Sequence, residues 1–142
     1  QTCRTWGAPS LYSQGFGDFK GPQWFKVAVD VPPGDAGKLA LWFGSNDGRT
    51  RLWINGQAVP FALAEKDGTA RRAWEFPRGW RAFRVPVGRF VRPGEQNVFV
   101  LRIDHTLNDL NLGGILRPVL LYEPGAEAWQ EMESLYSKIE EP

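Results

Sequence analysis

The dipeptide Asn55-Gly56 restricts the fold of this chain more than any other feature, because it stands between two segments rich in apolar residues. Asn and Gly supply the two positive φ angles that a type I′ turn needs, and this dipeptide between apolar runs is a strong short-range signal of a β-hairpin. Leu52 and Ile54 precede it at alternate positions, as expected of a strand that gives one face to a core. The sequence therefore predicts a sheet whose register is set at this turn.

Alternating or continuous apolar runs recur along the chain and are separated by turns that contain Gly and Pro. We interpret them as strands, and they cover residues 24–31, 39–44, 49–54, 83–87, 97–103 and 118–122. The run 97–103 is apolar at both parities, which is typical of a central strand covered on both faces. Such short strands without alternating helices indicate an all-β fold in which two antiparallel sheets form a sandwich.

The C-terminal stretch has a different pattern. Its apolar residues fall at three- and four-residue spacing, at Trp129, Met132, Leu135, Tyr136 and Ile139. This spacing predicts one amphipathic helix. We therefore divide the chain into a β-sandwich over residues 1–123, which begins with an ordered coil over 1–20, and a C-terminal helix or linker over 124–142.

Composition excludes several classes of protein. The 142 residues suit one domain, and a net charge of +1 gives no global field that would attract nucleic acid. The single cysteine, Cys3, rules out an internal disulfide and a cysteine-rich metal site. No apolar run approaches the roughly 20 residues that span a membrane. We expect no nucleic-acid or membrane partner and no cofactor.

Three stretches outside these strands combine polar and aromatic side chains and are candidate binding loops. The first is Ser45–Gly48, the second is the irregular segment 60–79 with the residues just after it, and the third is 104–112. A saccharide site pairs flat aromatic rings with amides, carboxylates and Arg, because sugars present both C–H faces and hydroxyls. The candidate ligand-binding residues are Asn46, Asp47, Trp74, Trp80, Arg81, Asn108, Asp109 and Asn111.

Each candidate has an alternative interpretation. Asn and Asp before Gly are ordinary turn formers, and Trp74 or Trp80 would equally plug the end of a sandwich. The oxygens of Asp47 and Asp109 would also suit a structural calcium ion, although no EF-hand spacing is present. We interpret the mid-strand tryptophans Trp42 and Trp53 as core or inter-sheet packing, and Trp24, at the start of a strand, as structural.

Arginine is concentrated between residues 71 and 92, where seven arginines accompany the one acid, Glu75. An acidic polysaccharide would be held by bidentate Arg contacts, and single-stranded nucleic acid is the weaker interpretation of the same pattern. Arginines at strand edges also prevent edge-to-edge pairing of sheets. Catalysis has little support, because His105 is the chain's only histidine and no nucleophile or metal-binding motif accompanies it.

The order of several motifs resembles the sugar-binding, jelly-roll domain of glycoside hydrolase family 2, within the galactose-binding-like superfamily that includes many carbohydrate-binding modules. The motifs are Gly-Pro-Gln-Trp-Phe-Lys-Val, Leu-Trp-Phe-Gly-Ser-Asn-Asp, Leu-Trp-Ile-Asn-Gly and Gly-Gly-Ile-Leu-Arg-Pro-Val. The match runs from about Gly15 to Tyr122. The resemblance implies a jelly-roll sandwich that binds glycans or supports a catalytic barrel.

From the residues and the resemblance together, we predict a non-catalytic carbohydrate-binding module, an accessory domain of a glycan-degrading enzyme. It would bind an oligo- or polysaccharide through loops at the end of the sandwich. The arginine-rich stretch favours an acidic saccharide as one form of this prediction. The alternative is a structural domain that supports a glycoside hydrolase barrel and has no sugar affinity of its own. We favour a secreted or periplasmic location.

Overall fold

The computed structural model describes residues 4–6, 21–77, 81–104 and 114–140, and for residues 4–6, 114, 116 and 117 it describes the backbone alone. The strands are β1 (Arg4–Trp6), β2 (Pro22–Asp30), β3 (Ala40–Asp47), β4 (Arg49–Ile54), β5 (Gln57–Ala58), β6 (Phe61–Ala64), β7 (Ala70–Ala73), β8 (Phe83–Pro86), β9 (Gln96–Asp104) and β10 (Gly114–Tyr122). A 3₁₀ turn covers Gly88–Phe90, and the helix α1 covers Ala126–Ser137.

Two four-stranded sheets form the body of the molecule. The first has the strand order β1-β10-β3-β8, the second has the order β2-β9-β4-β5, and β6 and β7 form a separate two-stranded ribbon. Every strand pair is antiparallel. The predicted all-β sandwich with a C-terminal helix is confirmed.

The core lies between the two sheets and is filled by the residues that the alternation predicts. Leu41 and Phe43 of β3 and Leu52 and Ile54 of β4 are buried. They pack in one cluster with apolar residues of β8, β9 and β10, which include Val85, Phe99, Leu101, Ile103 and Val119. Because successive strand residues point to opposite faces, the parity of these residues fixes which face of each sheet is exposed.

The turn at residues 55 and 56 has the predicted geometry. Asn55 has a φ of 50° and Gly56 a φ of 80°, both in the left-handed region. The Asn55 side chain also ties the turn to β9, because its Nδ2 donates to Asn97 Oδ1 at 2.7 Å and its Oδ1 accepts from the Val98 N–H at 3.0 Å. The turn therefore also fixes the position of β4 beside β9.

The predicted loop at Ser45–Gly48 is wrong. Strand β3 continues through Asp47, which lies opposite Gly114 of β10, and β4 begins at Arg49 in the other sheet. Gly48 alone makes the passage between sheets, with a φ of +136°. The polar residues are strand residues because β10 reaches far enough to pair with them.

The segment 60–79 is also more regular than predicted. It contains the hairpin of β6 and β7, in which Phe61 lies opposite Ala73 and Ala64 opposite Ala70. The tip of this hairpin is held by Asp67, whose Oδ1 accepts from the backbone N–H and the hydroxyl of Thr69 at 3.0 and 2.6 Å. These hydrogen bonds lower the pKa of the exposed Asp67 carboxyl. The alanines and arginines of these short strands give no clear apolar alternation, so the pattern did not reveal them.

The predicted helix packs against the sandwich through β6 and β8. Met132 is buried, and Tyr136 contacts the core cluster. Two hydrogen bonds join the end of the helix to the hairpin, from Arg72 to the Ile139 carbonyl at 2.7 Å and from Lys138 to the Gly68 carbonyl at 2.9 Å.

Among the residues described, no helix has the length and apolar character needed to cross a membrane. The N-terminal strand β1, which pairs with β10, was not predicted within the coil of residues 1–20.

Candidate functional site

Five strand ends meet at one end of the sandwich, which we call the rim end. Pro22 of β2 lies opposite Asp104 of β9, and Asp104 lies opposite Arg49 of β4. In the other sheet, Asp47 of β3 lies opposite Gly114 of β10. The rim end is thus defined by Pro22, Asp47, Arg49, Asp104 and Gly114, and it brings together the ends of both sheets.

Asn46 and Asp47, predicted to bind ligand, lie at the rim end but are fully buried. The amide nitrogen of Asn46 donates to Thr50 Oγ1 at 3.2 Å. Its Oδ1 has no hydrogen-bond partner within the described part of the chain. Among the described residues, this oxygen is therefore an exception to the rule that buried acceptors have a hydrogen-bond partner. Contact of Asn46 and Asp47 with a ligand stays a prediction.

Trp74 and Arg81 belong to the connection between β7 and β8, and both are exposed. Trp74 keeps 52% of its surface accessible. The connection reaches the rim end because Phe76 pairs with Thr50 through two backbone hydrogen bonds of 2.8 and 2.9 Å. Four predicted site residues lie outside the described residues, namely Trp80, Asn108, Asp109 and Asn111.

The outer face of the β2-β9-β4-β5 sheet carries aromatic and cationic side chains beside the rim end. Trp24 lies opposite Arg102, which lies opposite Arg51, so the three occupy one cross-strand row. In the next row, Trp53 lies opposite Val100. Residues opposite each other on neighbouring strands share a face and lie close enough to interact. We call the surface of Trp24, Arg51, Trp53 and Arg102 the Trp–Arg face.

The two tryptophans of this face contact each other and remain accessible. Their ring centroids are 5.5 Å apart with an interplanar angle of 30°, and Trp24 is 59% exposed. The guanidinium of Arg102 lies 5.9 Å from the Trp24 ring centroid, within the range of a cation–π contact. The prediction that Trp53 packs in the core or between the sheets is therefore wrong, because Trp53 faces away from the core. The structural interpretation of Trp24 stays a prediction.

The sequence contained the signal for this placement. Phe25 has the parity of the buried side of β2, so Trp24 must take the opposite side. Trp53 likewise alternates with the buried Leu52 and Ile54. The prediction that β9 is covered on both faces is wrong, because Val98 and Val100 are only half-buried on this outer side. The third strand tryptophan, Trp42, lies on the outer side of the other sheet, at the cleft beside α1.

Two carboxylates hold the arginines of the face in position. Asp104 lies 3.0 Å from Arg49 and 3.6 Å from Arg102. Glu75 lies 3.1 Å from Arg51, 3.6 Å from Arg49 and 4.0 Å from Arg102. The Thr50–Phe76 backbone pair fixes Glu75 here, since the residue next to Phe76 points to the opposite side. Three guanidinium groups therefore share two carboxylates.

Three of the arginines described between residues 71 and 92 have partners in different parts of the molecule. Arg71 pairs with Glu65 at 3.1 Å, Arg84 donates to the Tyr122 hydroxyl at 2.9 Å, and Arg89 lies 4.8 Å above the ring of Phe90. Among the described residues, the cationic surface beside the rim end includes Arg49, Arg51 and Arg102, which lie outside the arginine-rich stretch 71–92.

A cleft of about 600 Å³ separates α1 from the sandwich. Its walls include the aromatic rings of Trp42, Phe76, Phe83 and Tyr136. Phe76 and Phe83 are stacked on each other at 3.8 Å. Burial raises the pKa of the Tyr136 phenol well above its usual range, and a weaker backbone hydrogen bond at Ala62 opposes the shift. The aromatic walls of the cleft therefore serve largely to pack α1 against the sandwich.

The residues that the structure describes contain no group of three His, Cys, Asp or Glu side chains that would hold a metal ion. Asp109, one of the two carboxylates considered for calcium, lies outside them. The calcium hypothesis stays a prediction.

Comparison with solved structures gives the same fold in glycoside hydrolases. A glycosyl hydrolase family 2 member from Bacteroides cellulosilyticus is similar over 72% of this chain, with a TM-score of 0.56 and 21% identity. A β-glucuronidase from Dictyoglomus thermophilum is similar over 84%, with a TM-score of 0.60 and 17% identity. The β-glucuronidase from Ruminococcus gnavus is similar over 73%, with a TM-score of 0.56 and 20% identity.

The shared region is a small part of each of these enzymes. It covers 13% of the Bacteroides cellulosilyticus chain, 26% of the Dictyoglomus thermophilum chain and 20% of the Ruminococcus gnavus chain. Comparison with protein-family models and with curated proteins gave no match. At these identities the likeness shows the fold.

Proposed function

We propose that this chain is a non-catalytic carbohydrate-binding domain that accompanies a glycoside hydrolase. The observation that carries the proposal is the exposed Trp24, held against Trp53 beside the rim end. Neighbouring exposed aromatic rings with polar groups at their edge are typical of an interaction surface. A pyranose ring covers such a surface with its C–H face.

The polar groups needed to orient a sugar lie beside the rings. Arg49, Arg51 and Glu75 are partly exposed, and each presents a charged group that hydrogen-bonds hydroxyls. Of the predicted ligand-binding residues, Trp74 and Arg81 are exposed on the connection before β8, and Asn46 and Asp47 are buried at the rim end. In this proposal the saccharide lies across the Trp–Arg face and extends towards Trp74 and Arg81. Contact of Trp80, Asn108, Asp109 and Asn111 with the saccharide stays a prediction.

The accessory role is supported by the similar structures. They are glycosyl hydrolases, including β-glucuronidases, and this chain covers 12 to 26% of their length. Glycosidase chemistry needs two carboxyl groups placed across one glycosidic bond. Asp104 and Glu75, the carboxylates beside the Trp–Arg face, are both engaged by arginines. We therefore propose binding without hydrolysis, with the catalytic domain of a parent enzyme as partner.

A second candidate function is supported by the apolar part of the same sheet face. Val98 and Val100 are half-buried; Val100 lies in the row of Trp53, and Val98 lies in the row after it. A face of this kind also suits contact with a neighbouring protein domain, which would make the chain a structural support for a catalytic barrel. In that case the isolated chain would have no affinity for sugars.

Glycan-array binding followed by titration calorimetry separates the two functions. The chain is expected to bind at least one glycan class, and Trp24→Ala should weaken that binding by about 1–3 kcal/mol, the scale of one lost aromatic contact. Arg89→Ala is the matched control, because Arg89 lies on the 3₁₀ turn at the opposite end of the sandwich. Absence of binding to every glycan tested would reject the carbohydrate-binding function and favour the structural one.

A further inference from the structure

We propose that the Trp–Arg face selects saccharides that carry a carboxylate, that is, glycans containing uronic acids. This inference rests on the proposed carbohydrate-binding function and adds the chemical class of the ligand. It is carried by the geometry of the arginines next to the tryptophan pair.

The arginine cluster on the Trp–Arg face carries a net positive charge among the described residues. Arg49, Arg51 and Arg102 contribute three positive charges, and Glu75 and Asp104 contribute two negative charges. Lys26 lies in the row of Val100 and Trp53 on the same face and is exposed, which adds a second cation. An anionic group is therefore favoured here over a neutral one.

Within the described residues, the neighbouring carboxylates use only part of the hydrogen-bond donors of Arg51 and Arg102. Arg51 donates one hydrogen bond within the described part of the chain, from Nε to Glu75 at 3.1 Å, and its side chain is 47% exposed. Arg102 lies 3.6 and 4.0 Å from its carboxylates, too far for a hydrogen bond. Among the described residues, no hydrogen bond engages the terminal nitrogens of Arg51 or Arg102, and those of Arg102 make only long ion pairs with Glu75 and Asp104. These nitrogens can therefore donate to an incoming carboxylate, which arginine holds with two parallel bonds.

The arginine donors and the tryptophan rings lie close to each other on the Trp–Arg face. Arg51, Arg102 and Trp24 occupy one row across three neighbouring strands, and Trp53 lies in the next row against the Trp24 ring. The donors and the aromatic surface are therefore one or two strand spacings apart, and neighbouring strands are about 5 Å apart. A pyranose stacked on a tryptophan can place a ring carboxylate at the arginines.

The test uses pairs of ligands that differ in charge alone. Oligogalacturonate, oligoglucuronate and oligomannuronate are each titrated into the chain and compared with their methyl esters, in which the rings are kept and the carboxylates are neutral. At least one free acid is expected to bind about tenfold more tightly than its ester, the effect of one charge-assisted hydrogen bond. The preference should shrink as salt is added.

Variants assign the preference to the face. Arg51→Gln should reduce the acid-over-ester preference several-fold, because glutamine keeps a hydrogen-bond donor but has no charge, whereas Trp24→Ala should weaken acid and ester by the same factor and keep the preference. Arg89→Gln is the matched control for the loss of one positive charge and should keep the preference. Thermal unfolding of each variant shows that it is folded.

The outcomes separate this inference from the function on which it rests. Equal affinity for acids and esters, or a preference that survives Arg51→Gln, overturns the uronate inference and leaves carbohydrate binding standing. Binding confined to neutral glycans does the same. Failure to bind any glycan overturns both.

Discussion

Gly48 is the residue on which the junction between the two sheets depends. Its φ of +136° is unfavourable for residues with a side chain. A Cβ at this position would lie 2.8 Å from the Asp104 carbonyl oxygen and 2.9 Å from Ile103 Cγ2, closer than such atoms approach. The absence of a side chain therefore lets β3 pass from one sheet to β4 in the other, beside the end of β9.

Gly48→Ala should lower the free energy of unfolding by about 2 kcal/mol or more, since backbone strain and steric contact act together. Denaturant unfolding measures the change. Gly68→Ala is the matched control, because Gly68 also has a positive φ, +88°, but a Cβ there meets no atom within 4 Å. Equal losses in the two variants would show that the contact with Asp104 has no effect.

The helix α1 is the element whose packing has a pH dependence. Tyr136 lies on the side of α1 that meets the sandwich, and its hydroxyl donates to the Arg84 carbonyl at 3.5 Å. Burial raises the pKa of this phenol in the folded chain above the value of about 10 in an unfolded chain. Above about pH 10 the unfolded chain therefore releases a proton that the folded chain retains, and stability falls as pH rises.

Tyr136→Phe removes this proton and should flatten the alkaline part of the stability profile. Between about pH 9 and about pH 11, the wild-type chain should lose about 1 kcal/mol more than the variant. Denaturant midpoints at a series of pH values test this, and the variant's own profile accounts for other titrating groups. Parallel profiles would contradict the account of Tyr136.

At the scale of elements, the local pattern of apolar residues is sufficient to predict a strand where one face of that strand is apolar. The parities of β2, β3, β4 and β8 and the spacing in α1 are local properties, so the sequence predicted these elements. The end of β3 depends on pairing with β10, distant in sequence, and its polar residues therefore suggested a loop. The β6–β7 hairpin was missed because its short strands have mixed composition.

At the scale of the whole molecule, the fold class could be predicted from sequence but the site could be predicted only in part. Apolar alternation implies two stacked sheets, whereas the order of strands within each sheet decides which side chains become neighbours. Arg51 and Arg102 are 51 positions apart in sequence, and no short motif joins them to Trp24. The strand order β2-β9-β4 places the three in one row.

The melting temperature of the whole chain should not depend on metal ions. Because we expect no cofactor, chelation with EDTA should leave the melting temperature unchanged, and millimolar calcium should not raise it. A bound ion would stabilise the folded state by mass action, so a shift in thermal unfolding would reveal it. A melting temperature that falls on chelation and recovers with calcium would support the calcium hypothesis instead.

The central claim, that saccharide binds on the Trp–Arg face, is tested most directly by the indole N–H signals of the seven tryptophans in an NMR titration with glycan. Trp24→Phe and Trp53→Phe assign two of these signals. The account predicts saturable shifts of the Trp24 and Trp53 signals at the same glycan concentration that saturates calorimetric binding. Saturation of binding while these two signals stay in place would contradict it.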